Sequence, residues 1–84
     1  MQRVQLESRT LASALYHPDR RQLELEFRTG KRYLYFGVPP MTYHTLLLAQ
    51  SKGAFFNANI RNRFPFQNLS LTSAPIVLVP PLTK

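Results

Sequence analysis

Apolar and polar positions alternate most cleanly at Gln22–Arg28, where Leu23, Leu25 and Phe27 are interleaved with Gln22, Glu24, Glu26 and Arg28. A period of two predicts a strand with one buried face and one wet face. The segment before it, Thr10–His17, has the same period in weaker form. It sets Leu11, Ser13 and Leu15 on one face and Ala12, Ala14 and Tyr16 on the other. His17-Pro18-Asp19-Arg20-Arg21 between them reads as a turn, with Pro18 presetting φ and Asp19 able to bond local backbone. A third strand, Arg32–Phe36, is rich in aromatic residues and follows a reversal at Thr29-Gly30-Lys31. Three such segments joined by short turns predict an antiparallel meander.

The period changes after Val38-Pro39-Pro40. Tyr43, Leu46, Leu47 and Gln50 recur at i, i+3, i+4 and i+7, a helical stripe that a proline in the first turn would open. Lys52 suits the negative end of that helix and Gly53 suits the residue just past it. Ala54–Ile60 predicts a second short helix with Phe55, Phe56 and Ile60 inward, and Pro65 disfavours its continuation. The expected fold is therefore α+β: a three-stranded antiparallel β-meander packed against one α-helix plus a second short helix. Residues 8–66 would form the domain. Residues 67–84 are rich in Ser, Thr and Pro, and would be a tail or, through Ile76-Val77-Leu78-Val79, an extra strand.

The second hairpin decides where Tyr33 and Tyr35 point. A two-residue Thr29-Gly30 turn would set them opposite Glu26 and Glu24, with Arg32 beside Phe27. A three-residue loop shifts the register by one, so that both tyrosines join Leu23, Leu25 and Phe27 while Arg32, Leu34 and Phe36 take the other face. Burying Phe27 beside arginine is the poorer outcome, so the three-residue loop with Gly30 in a bulge is expected. The tyrosines are then core residues with hydroxyls at the rim. Exposed platforms for base stacking are the alternative.

Length and composition narrow the function classes. The chain has 84 residues, room for one small core, with 44% hydrophobic residues and a mean hydropathy of −0.22. It has no apolar run long enough to span a bilayer, no apolar leader after Met1, and no cysteine. A cytoplasmic protein that does not engage a membrane is expected. Charge is the informative departure. Glu7, Asp19, Glu24 and Glu26 all precede Phe27, and the 58 residues from Phe27 to Lys84 hold no carboxylate side chain but seven fixed cations. A segment of that length ordinarily carries roughly seven acids. Such a surface attracts polyanions and loses that attraction as salt rises.

The ordered set Leu23-x-Leu25-x-Phe27-x-x-Gly30-x-x-Tyr33-x-Tyr35, Val38-Pro39, Tyr43-x-x-Leu46, Ser51-Lys52-Gly53-x-Phe55-Phe56-Asn57 and Ile60-Arg61 resembles the KTSC domain family. That family takes its name from a module at the C-terminus of some lysyl-tRNA synthetases. The resemblance spans about Ser8 to Phe66 and implies a small bacterial-type domain, with RNA as the ligand its synthetase context suggests. Leu15 and His17 stand where members often carry glycine and aspartate.

Candidate chemistry follows from the charge. Arg28, Lys31 and Arg32 crowd the second turn, and Lys52, Arg61 and Arg63 flank the helical segment; together they would bind RNA through phosphates, with little sequence information. Asn57 and Arg61, four apart on a helix, share a face and would add a directional contact, unless Ser51 or Asn57 serves only as a helix cap. Catalysis finds little support, since His17 sits in a turn, His44 on the expected helix has no acid near it in sequence to orient it, and Thr42 and Ser51 have no visible base. No catalytic residue, metal site or cofactor is expected. The alternative is a protein-interaction or dimerisation module that uses Leu34, Phe36 or residues 76–79.

Overall fold

A computed structural model describes residues 3–72 as a five-stranded antiparallel sheet with two helices on one face and a last short helical turn. The strands are β1 (Val4–Gln5), β2 (Leu11–His17), β3 (Gln22–Phe27), β4 (Arg32–Phe36) and β5 (Phe66–Asn68), and they lie side by side in chain order. Helices α1 (Pro40–Leu48) and α2 (Lys52–Asn59) connect β4 to β5, and α3 (Leu69–Thr72) follows. The three expected strands are the centre of this sheet. The expectation fell short by its two edges, because strands of two and three residues are too short to display a period. Both edge strands lie wholly or partly outside residues 8–66, and Ile76–Val79 lies outside the described residues.

Register fixes which side chains share a face. Tyr33 pairs with Leu25 and Tyr35 with Leu23, while Arg32 pairs with Glu26 and Leu34 with Glu24. The hairpin has a three-residue loop, Arg28-Thr29-Gly30, one residue earlier than the expected reversal at Thr29-Gly30-Lys31: Phe27 N–H donates to Lys31 O (2.8 Å), Gly30 N–H donates to Phe27 O (2.9 Å), and Gly30 sits at φ +94°. That dihedral is costly for a side chain with a Cβ, which explains glycine there. Both tyrosines accordingly stand on the helix-covered face.

Strand β2 departs from simple alternation. Leu11 pairs with Phe27 but Ser13 with Glu26, so one extra residue is inserted at a bulge. Leu11 thereby joins Ala14 and Tyr16 on the core face, instead of the Ser13 and Leu15 face that strict alternation assigns it. Leu11, Ala14, Leu23, Leu25, Leu46, Val38 and Ile60 are fully buried. Each fully buried leucine or isoleucine contributes roughly 1.5–3 kcal/mol through burial alone. Tyr16 stacks on Tyr43 at 4.7 Å, and its hydroxyl donates to Val38 O at 2.6 Å, which pins the start of α1 to β2.

The opposite face of the sheet is polar at its centre. Arg3 bonds Glu24 Oε2 (2.6 Å) and Ser13 Oγ (3.2 Å), and Ser13 Oγ donates to Glu26 Oε1 (2.9 Å). Leu15, Leu34 and Phe36 stand half-buried around this network. Among the described residues no helix is long and apolar enough to cross a membrane.

Candidate functional site

The helical segment arranges itself differently from the simple reading of Gly53. α1 stops at Leu48, and Gly53 lies in the first turn of α2, whose N-cap is Ser51: its Oγ accepts from Ala54 N–H at 3.2 Å. Glycine is used here for close approach. A Cβ at Gly53 would stand 2.7 Å from Thr10 Oγ1 and 3.1 Å from Thr10 Cβ, so a side chain here would require Thr10 to shift. Lys52 does serve the end of the first helix, since its ammonium donates to Ala49 O at 3.0 Å. Along α2, Phe56 and then Ile60 face the core, Phe55 is half-buried, and Asn57 is exposed.

This packing opens a groove of about 590 Å³ between the β3–β4 turn, α2 and β5. Its floor is aromatic, with Phe27, Tyr33, Tyr35, Phe56 and Phe66 all lining it. Tyr33 meets Phe27 and Phe66 edge-on, both at 5.5 Å, and Tyr35 lies 5.7 Å from Phe56 and 5.6 Å from Phe66. Edge-to-face geometry of this kind adds to the burial energy and fixes the rings in place. Tyr35 is buried and Tyr33 half-buried, whereas Phe66 leaves 54% of its surface in solvent.

The rim carries Lys31, Asn57 and Arg61 and no carboxylate. Arg61 donates to Asn57 Oδ1 at 3.3 Å, the contact that their i, i+4 spacing predicts. Burial pushes the Tyr35 hydroxyl up to about 12, the neighbouring Tyr33 adds to the rise, and Arg61 opposes it. Tyr35 therefore stays neutral in the groove at physiological pH.

A second groove of about 670 Å³ adjoins the first, for Thr10 and Asn57 line both. Arg9, Ser51 and Lys52 lie along it, with Glu7 as its one acid. The β1–β2 loop that forms its wall is braced by Arg28, whose Nε donates to Ser8 O (3.0 Å) and whose Nη2 donates to Leu6 O (2.8 Å).

The expected basic set thus divides. Lys31, Asn57 and Arg61 meet at the first groove together with Tyr33 and Tyr35, and Lys52 lies in the second. Arg28 fastens a loop. Arg32 stands on the other face of the sheet, paired across to Glu26 and 3.9 Å from Glu24, so it does not join the stripe. Arg63 is exposed in the turn after α2 and lines neither groove. Sequence reasoning missed Phe66 and Arg9. An aromatic residue directly after Pro65, in a chain whose sheet face already carries Tyr16, Phe27, Tyr33 and Tyr35, was the available signal for Phe66. Arg9 carried none, because its position depends on how α2 seats on the loop.

Comparison with known proteins places the fold. The chain is 37% identical to a KTSC domain protein from Yersinia pestis of known crystal structure, with a TM-score of 0.77 over 80% of this chain and 94% of that one. It is 41% identical over 59 residues to a protein of Tsukamurella paurometabola, covering 70% of this chain and 88% of the relative. A lysine–tRNA ligase of Nostoc punctiforme is 42% identical over 55 residues, which are 66% of this chain but only 10% of the ligase. The description of the KTSC domain matches residues 7–64, and the chain belongs to the KTSC domain family.

Proposed function

We propose that this domain is a non-catalytic module that binds RNA, with the phosphate backbone held at the rim of the aromatic groove. The observation that carries this reading is the meeting of Lys31, Arg61 and Asn57 over an aromatic floor, with no carboxylate among the groove's lining residues. Cations placed beside one another without a compensating acid build a local positive potential, and a groove focuses it. Lysine and arginine supply charge to phosphate oxygens, and Asn57 supplies both a donor and an acceptor. The lysine–tRNA ligase among the relatives is an enzyme whose name ties it to an RNA, which favours RNA over DNA as the polyanion. Among the described residues no group of three or more His, Asp or Glu gathers, and a binding role requires none.

Charge reversal tests the reading. Lys31 and Arg61 are exposed, so Lys31→Glu and Arg61→Glu should leave the melting temperature nearly unchanged. Fluorescence anisotropy with a labelled RNA oligonucleotide should show each reversal weakening binding by about ten-fold, the loss of one phosphate contact plus one repulsion. Affinity equal to that of the unaltered protein in both variants would exclude this groove as the site.

A further inference from the structure

We infer that the groove selects single-stranded RNA, with one unpaired base stacked on Phe66 and the following backbone crossing Thr10 and Asn57 into the second groove. This inference rests on the RNA-binding reading and sharpens it to one form of RNA. Phe66 is the reason. Tyr33 at 5.5 Å and Tyr35 at 5.6 Å, neighbours on the adjacent strand, pack against its ring, while 54% of its surface stays in solvent. It stands on β5, a three-residue edge strand, so no further strand among the described residues covers it. An aromatic ring that is held by ring neighbours and largely open to solvent offers a stacking platform, which every base can use through its π-face. Bases within a duplex are already stacked on their neighbours and cannot reach it without unpairing.

The two grooves supply the path. Thr10 and Asn57 belong to both linings, so a strand that leaves Phe66 past Lys31 and Arg61 continues along the protein to Arg9 and Lys52. The ammonium of Lys52 has three N–H groups and uses one on Ala49 O, leaving donors for a phosphate. Gly53 of the second groove and Thr10 of both lie in close contact, with no room for a Cβ at Gly53 unless the Thr10 side chain shifts.

The chain has no tryptophan, so Phe66→Trp places a single emitter at the platform. Its emission should fall when a single-stranded RNA hexanucleotide binds and change little with a hairpin duplex. Phe66→Leu should lower the ratio of single-strand to duplex affinity by about five-fold or more, the stacking of one base. That ratio is insensitive to a partial loss of folding, which lowers both affinities alike. Arg9→Glu should weaken the hexanucleotide and leave a dinucleotide unaffected. If Phe66→Leu leaves the ratio unchanged while Arg61→Glu still weakens binding, the domain holds RNA by charge alone and the single-strand inference falls. If Arg9→Glu has no effect on the hexanucleotide, the path into the second groove is wrong. If the unaltered protein binds neither form, the RNA-binding reading fails and this inference with it.

Discussion

Tyr16→Phe isolates one buried hydrogen bond that joins the sheet to the helical layer. The Tyr16 hydroxyl donates to Val38 O at 2.6 Å, between residues 22 apart in the chain, and both side chains are buried. Phenylalanine keeps the ring, and with it the 4.7 Å stack on Tyr43. The substitution therefore removes the hydroxyl and little else. A neutral hydrogen bond is worth about 1 kcal/mol net, and a buried carbonyl left without a partner raises the cost toward 2 kcal/mol. Val38 O loses its donor in a place that water does not reach, so the upper part of that range is expected. For a domain of this size, each kcal/mol shifts the melting temperature by roughly 4–8 °C. Thermal and urea denaturation of the variant should then show a loss of about 1–2 kcal/mol with an unchanged urea slope. RNA affinity should not change, because Tyr16 lines neither groove. A stability loss below about 0.3 kcal/mol would mean that the bond contributes nothing, and the anchoring of α1 would need another cause.

The remaining predictions concern the second helix and the tyrosines. Ser51→Ala removes the cap on Ala54 N–H and should cost about 1 kcal/mol in urea denaturation, with Ser51→Asp retaining most of the stability. Burial raises the hydroxyls of Tyr16 and Tyr43 and pushes Tyr35 up to about 12, so the folded state holds these protons more tightly than the unfolded chain does. Above about pH 10 the unfolded tyrosines ionise first, and stability should decline as pH rises from there toward 12. With allowance for solvent in the groove, Tyr35 accounts for on the order of 1–2 kcal/mol of that decline. Tyr35→Phe should flatten the alkaline limb of the stability curve, and an unchanged limb would refute the assignment.

The β3–β4 hairpin was legible because the side chains of β3 alternate strictly, and because the three-residue loop keeps Arg32 away from Phe27. The bulge in β2 was not legible. Ala12 and Ser13 are small enough to suit either face, so nothing in their identity announces the inserted residue that brings Leu11 into the core. Gly53 misled for a related reason. Glycine serves equally as a helix terminator and as a point of close approach, and only the position of Thr10 distinguishes the two. Helical spacing gave the Asn57–Arg61 contact, but that Lys31 and Tyr33 line the same groove depends on how α2 seats on the sheet. The diversion of Arg28 to loop carbonyls and of Arg32 to the Glu24 side depends on partners twenty or more residues away or on the opposite face. Local pattern carries no record of such partners.

The central claim is that RNA is held by phosphate contacts at the carboxylate-free groove. It is tested most directly by the salt dependence of binding to a single-stranded RNA oligonucleotide, with DNA of the same sequence alongside. Lys31 and Arg61 in that groove, with Arg9 and Lys52 in the adjoining one, would neutralise two to four phosphates, so log K should fall linearly with log salt concentration at a slope of about −1.4 to −2.8. Arg61→Glu should reduce that slope by roughly 0.7. The account predicts this behaviour together with tighter binding of RNA than of DNA. A slope near zero, or one that Arg61→Glu leaves unchanged, would contradict it.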